Sequence, residues 1–109
     1  MTEIFQRSEV LDRLEGDEDL LRELVDLFLS QSWIQIQELQ AALAVGDAHT
    51  IWNQAHSLKG AAAGLGAEAL SHRAAQLEQA GREGDLTAVP GLLQAVEEEL
   101  TRFQQAVTL

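Results

Sequence analysis

Asp47-Ala48-His49-Thr50-Ile51-Trp52-Asn53-Gln54-Ala55-His56-Ser57-Leu58-Lys59-Gly60-Ala61-Ala62-Ala63-Gly64-Leu65-Gly66 holds the clearest architectural signal in the chain. Ile51, Ala55, Leu58 and Ala62 recur in steps of four, three and four, the period of one buried helix face. Asp47 can cap the start of that helix, and the Gly64-Leu65-Gly66 turn ends it. At about 100° per residue, the four apolar positions lie within about 40° of Ile51. His56 falls roughly 140° away and faces outward.

The same pattern extends in both directions. Ser8 can cap a short helix over 8–14, with Val10, Leu11 and Leu14 apolar, and Gly16 breaks it. Asp17 caps a long helix reaching about Val45, with Glu18 and Asp19 well placed in its first turn. Leu21, Leu24, Val25, Phe28, Leu39 and Leu43 fit one face of it. Leu20, Leu27, Leu29, Trp33, Ile34 and Ile36 do not all fit that face, so this helix carries more apolar surface than one stripe needs. Gly46 ends it.

After Gly66, a fourth segment runs from about Ala67 to Ala80 on Leu70, Ala74 and Leu77, with Gly81 and Gly84 bracketing the next turn. Asp85 can cap the segment after that turn. Val89, Leu93, Val96, Leu100, Phe103 and Val107 alternate in steps of four and three, and Pro90 suits a first turn rather than an interior. No segment alternates as a strand. The expected fold is all-α, an antiparallel four-helix bundle with a short additional N-terminal helix, in a single domain over 1–109.

Composition narrows the function. A net charge of −11 speaks against nucleic acid and against an anionic membrane, since both demand basic surface. There is no cysteine, which removes disulfides, thiolate metal sites and a thiol nucleophile. No apolar run approaches a membrane span and the N-terminus lacks a secretory pattern, so a cytoplasmic location is expected. Charge is also unevenly placed. Residues 1–26 carry nine of the eighteen acidic groups, whereas from Ala48 to Ala67 the only full charge is Lys59. An incoming anion meets least repulsion there.

Within that window, His56, Lys59 and Gly60 form a chemical set. Neutral imidazole is a nucleophile near pH 7, its unperturbed pKa being about 6.5. Its ring can take a phosphoryl group in a P–N bond. Lys59, three residues on, can steady the added charge. Gly60 costs roughly 1 kcal/mol of helix stability against alanine, and together with the small Ala63 it leaves the ring open to a bulky partner. One ring nitrogen must be free to attack, so the other should be held as a donor. Glu78, about 80° from Leu70 on its own wheel, is placed to accept that hydrogen bond from the adjacent helix. The other histidines lack this context: His49 and His72 are expected to face solvent. Glu68 and His72, four apart, are expected to point outward too, so no bundle metal site is expected. The glycines of 60–66 lack the Gly-Lys-Ser/Thr of a phosphate loop, and no strand precedes them, so nucleotide binding is not expected.

The run His56-Ser57-Leu58-Lys59-Gly60-Ala61-Ala62, followed by Leu65-Gly66, resembles the signature of histidine-containing phosphotransfer (HPt) domains. The resemblance extends from Gly16-Asp17-Glu18 through Phe28-Leu29 to the last helix. It implies a phosphoryl relay rather than an ATP-using kinase: His56 accepts the group through Nε2 from a receiver-domain aspartate and passes it to another. Lys59 would contact the phosphoryl group and Gly60 would permit close approach. Several relatives carry glutamine where Glu78 falls, and Arg82 matches a basic position in some. The partners implied are response-regulator receiver domains and a sensor or hybrid histidine kinase. No cofactor of its own is implied; Mg²⁺ is expected in the receiver.

Candidate docking residues are Leu11, Leu14, Trp52, Ala63 and Arg82, with some of Leu27, Leu29 and Ile34 among the surplus apolar positions. The rival reading is a non-catalytic helical scaffold in which His56 is a surface residue. A start at Met1 suits a free-standing protein, while the same pattern suits a phospho-accepting domain of a larger kinase.

Overall fold

A computed structural model describes residues 5–107. Among them, five α-helices succeed one another: α1 (Arg7–Arg13), α2 (Glu18–Val45), α3 (Ala48–Gly64), α4 (Glu68–Glu83) and α5 (Val89–Val107), with a 3-10 turn at Leu86–Ala88 before the last. The described residues contain no strand. Helix α3 packs on α4, α4 on α5, and α2 closes the ring against both α3 and α5. Short connections reverse the chain between them, giving the antiparallel four-helix bundle with α1 as the extra N-terminal helix. The long axis is 43 Å, which is about the length of α2. No helix among the described residues is long and apolar enough to cross a membrane.

The caps explain most of the boundaries. The Asp17 side chain accepts from the Leu20 amide, and the Asp47 side chain accepts from the Thr50 amide. Each satisfies one of the amides that a helix start leaves unpaired. Asp85 accepts from the Thr87 amide and opens the 3-10 turn, and Pro90 then falls in the first turn of α5. Ile51, Ala55, Leu58 and Ala62 of α3 are buried, as are Leu70, Ala74 and Leu77 of α4 and Val89, Leu93, Val96, Leu100 and Phe103 of α5. At one end of the core, Phe103 is met edge-on by both Phe5 and Phe28, with ring centroids 5.3 Å apart in each pair.

Three expectations are corrected. Helix α1 begins at Arg7 with Gln6 at its N-cap and no capping side chain, so Ser8 lies inside the helix. Its start is set across the fold, where the Gln6 amide donates to the Gly66 carbonyl at 3.0 Å. Gly66 has φ +70°, and a Cβ there would meet Val10 Cγ2 at 3.0 Å, so the glycine both turns the chain and seats α1.

Second, the core face of α2 runs through Leu21, Val25, Phe28, Ser32, Ile36, Leu39 and Ala42. Ile36 is core, while Leu24 and Leu43 are only half-buried. On the same wheel Ile36 lies about 60° from Leu21, at the edge of that face, and Leu24 and Leu43 pack against the same core from partly buried positions.

Third, α4 does not stop at Ala80. It continues through Gly81 to Glu83 and is ended by Gly84. Gly81 is buried against α3: a Cβ on it would stand 2.7 Å from the Trp52 nitrogen and 2.9 Å from the Trp52 Cα. The glycine serves a close helix–helix approach, not a turn.

Candidate functional site

The outward face of α3 and the adjoining face of α4 bring four of the singled-out residues together. His56 leaves α3 with its side chain 67% exposed, and its Nδ1 lies 2.6 Å from Oε2 of Glu78 on α4. An ionised carboxylate only accepts hydrogen bonds, so Nδ1 carries the proton and donates. In the neutral ring Nε2 is then the nitrogen that carries the lone pair, and it has no partner among the described residues. This is the tautomer a nucleophilic Nε2 requires.

Glu78 is the anchor of the cluster. Its side chain is 6% exposed, and Lys59 Nζ donates to its Oε1 at 2.6 Å. Arg82, one turn along α4, lies 3.7 Å from Oε2. The hydrogen bond from Lys59 holds the Glu78 carboxyl below its ordinary pKa; burial pushes the other way, and the hydrogen bond to His56 reinforces the lowering. Burying a lone carboxylate would be costly, and here each oxygen has a cationic or donating partner. The Lys59 side chain is about one-third exposed at 35%, with its ammonium held on Glu78.

Beyond the ring, the helix surface is bare. Apart from its chain neighbours and the backbone of its own helix, no atom lies within 4 Å of where a Cβ on Gly60 would stand, and Ala63 and Gly64 are exposed as well. No contact among the described residues requires glycine at 60. The open strip faces outward beside an exposed imidazole.

Trp52 lies one turn before His56 and is half-buried. The Arg82 guanidinium stands 5.8 Å from its ring centroid, and His49 meets it edge-on at 5.7 Å. Arg82 therefore joins Trp52 to the Glu78 cluster. Leu11 and Leu14 are not part of this group: both are half-buried against the core on α1, which the Arg13 guanidinium ties to the Gly64 carbonyl at 3.1 Å. Of the surplus apolar residues of α2, Leu29 is half-buried, whereas Leu27 and Ile34 are 53% and 55% exposed and lie seven residues apart on one face. His49, with Asn53 at 3.1 Å, is exposed, as are His72 and Glu68.

Three further residues place the site, and sequence pattern did not single them out for it. Ser71 Oγ donates to the Lys59 carbonyl at 3.0 Å, tying α4 to α3 beside the lysine. Gln35 Nε2 donates to Ser57 Oγ at 3.1 Å, tying α2 to the residue next to His56. Gly81 sets the closeness of α4 to α3 one turn from Glu78. Ser71 sits seven residues before Glu78, on the same face two turns away, and that register is the one signal that could have found it.

Comparison with protein families matches the Hpt domain over residues 23–106. Comparison with curated proteins gives no match. Among solved structures, the chain is similar to histidine-containing phosphotransfer protein B (HptB) from Pseudomonas aeruginosa PAO1. The two share 30% sequence identity, with a TM-score of 0.86 over 97% of this chain and 96% of that one.

Proposed function

Since this chain belongs to the Hpt domain family of histidine phosphotransfer proteins, we propose that His56 is its phospho-accepting residue and that it relays the group between receiver domains. Nε2 attacks the phosphorus of a receiver's aspartyl phosphate. The N–P bond forms as the O–P bond breaks, and the bonding pair leaves with the aspartate carboxylate. The return step is the same exchange in reverse, onto the aspartate of another receiver.

The observation that carries this reading is the fixed, exposed imidazole: Glu78 holds Nδ1 at 2.6 Å and leaves Nε2 to solvent above an open glycine. Lys59 is within one helical turn of the ring and can move its ammonium from Glu78 toward the added phosphoryl oxygens. Gly60 gives the receiver room to bring its aspartate in line. Catalysis of this kind rests on positioning and charge. The chain acts as a phosphoryl carrier rather than as a kinase, and the Mg²⁺ of the reaction comes with the receiver. A sensor or hybrid histidine kinase supplies the group upstream.

The test is direct. The purified protein is mixed with a phosphorylated receiver and examined for label that is lost in acid and kept in base. Label is expected on the wild type and absent from His56→Gln. Transfer that survives this substitution overturns the assignment. No transfer from any receiver of a panel favours the scaffold reading.

A further inference from the structure

Resting on that reading of His56, we infer that Glu78 keeps the Nδ1 proton on the ring throughout the phosphorylated state, so that the relay runs without exchanging a proton with solvent and the phosphoryl group stays readily transferable. Proton balance sets the requirement. Before attack the ring is neutral, with a proton on Nδ1 and a lone pair on Nε2. After attack Nε2 carries the phosphoryl group, Nδ1 still carries its proton, and the ring holds one positive charge. If that proton stays, the reverse step expels neutral imidazole. If it is lost, the reverse step must expel imidazolate, a far poorer leaving group.

The geometry favours the first of these states. The Glu78 oxygen is 2.6 Å from Nδ1, and its side chain is almost wholly buried beneath the exposed ring, so the carboxylate meets Nδ1 from the side shielded by the bundle. A carboxylate facing Nδ1 favours the protonated, positively charged ring and would meet a lone pair unfavourably if the proton left. Two cations oppose this, Lys59 from α3 and Arg82 from α4. Both are paired to the same carboxylate rather than to the ring, and the phosphoryl group brings negative charge of its own for Lys59 to meet. From α2 the neighbouring contact is a neutral amide, Gln35 on Ser57. His49 lies two turns earlier on α3 against Asn53. A neutral acceptor at position 78 would orient the ring equally well but would not hold the proton by charge.

The experiment uses ¹⁵N-labelled protein phosphorylated with phosphoramidate, a small donor that needs no receiver. The Nδ1 resonance of phosphorylated His56 is followed from neutral to alkaline pH in the folded wild type, in folded Glu78→Gln, and in the wild type unfolded in urea. The folded wild type is expected to keep Nδ1 protonated to higher pH than either of the others. Its phosphohistidine should hydrolyse faster at alkaline pH, by about tenfold for each pH unit separating the midpoints. The unfolded wild type provides the comparison even if Glu78→Gln folds poorly. A midpoint in the folded wild type no higher than in the unfolded chain overturns the inference while leaving His56 as the acceptor. Failure of His56 to take any label from phosphoramidate overturns the acceptor assignment and this inference with it.

Discussion

Gly81 of α4 lies against the backbone of Trp52 of α3 so closely that a Cβ would stand 2.7 Å from the Trp52 nitrogen. Trp52 is one turn before His56, and Gly81 is three residues after Glu78. The helix approach at this point therefore sets how near the carboxylate comes to the imidazole. Gly81→Ala is expected to lower stability by about 1–3 kcal/mol through overpacking, despite alanine's better helix propensity. It should also weaken the His56–Glu78 hydrogen bond. Urea denaturation reads the first effect, and loss of the downfield Nδ1 proton signal of His56 reads the second.

Gly60 is the opposite kind of glycine. With nothing beyond its own helix within 4 Å of a Cβ there, Gly60→Ala is expected to stabilise the protein by about 0.5–1 kcal/mol. Transfer from a phosphorylated receiver should slow, and more so than phosphorylation by phosphoramidate, because only the receiver needs the space. Equal slowing with both donors would show that the glycine does not serve partner approach.

The pairing of Glu78 makes stability depend on pH in a defined direction. Its pKa is lowered in the folded state, chiefly by the Lys59 hydrogen bond. A lowered carboxyl contributes stability that is present above its unfolded pKa and is lost as pH falls through the folded one. The stability advantage of wild type over Glu78→Gln is therefore expected to hold at neutral pH and to shrink on acidification below the ordinary carboxylate pKa. Urea unfolding of both proteins across that acid range checks this. An advantage that grows on acidification contradicts it.

Leu27 and Ile34 of α2 leave more than half of their apolar surface open to solvent, and they share one face. Leu27→Glu and Ile34→Glu are expected to change stability by no more than about 0.5 kcal/mol, as substitutions at exposed sites do. Both should raise the receiver concentration needed for half-maximal transfer. The same change at Leu11 or Leu14 should instead cost stability, because both pack on the core. Transfer kinetics beside thermal melts of the four variants separate the two outcomes.

Much of this molecule is written in local pattern. Ile51, Ala55, Leu58 and Ala62 are all buried because helical periodicity puts them on one face whatever lies opposite. Asp17, Asp47 and Asp85 cap because their side chains reach amides two or three residues on. The outward position of His56, and Lys59 and Gly60 beside it, come from the same helix. The features that local pattern misplaced each depend on a second element. The start of α1 depends on the Gly66 carbonyl, and the place of Gly81 inside α4 depends on the Trp52 backbone.

A bundle of amphipathic helices with a displayed histidine is legible in the residue order alone, because side-chain direction along a helix is set by its own repeat. That order also points Glu78 toward α3, but it carries no measure of depth. The burial of this carboxylate, its sharing by Lys59, Arg82 and His56, and the freedom of Nε2 emerge only once the helices are packed. Those are properties of the distance between two helices, and that distance is set by the residues packed between them: Gly81 on Trp52, Ser71 on the Lys59 carbonyl, and the apolar layer beneath.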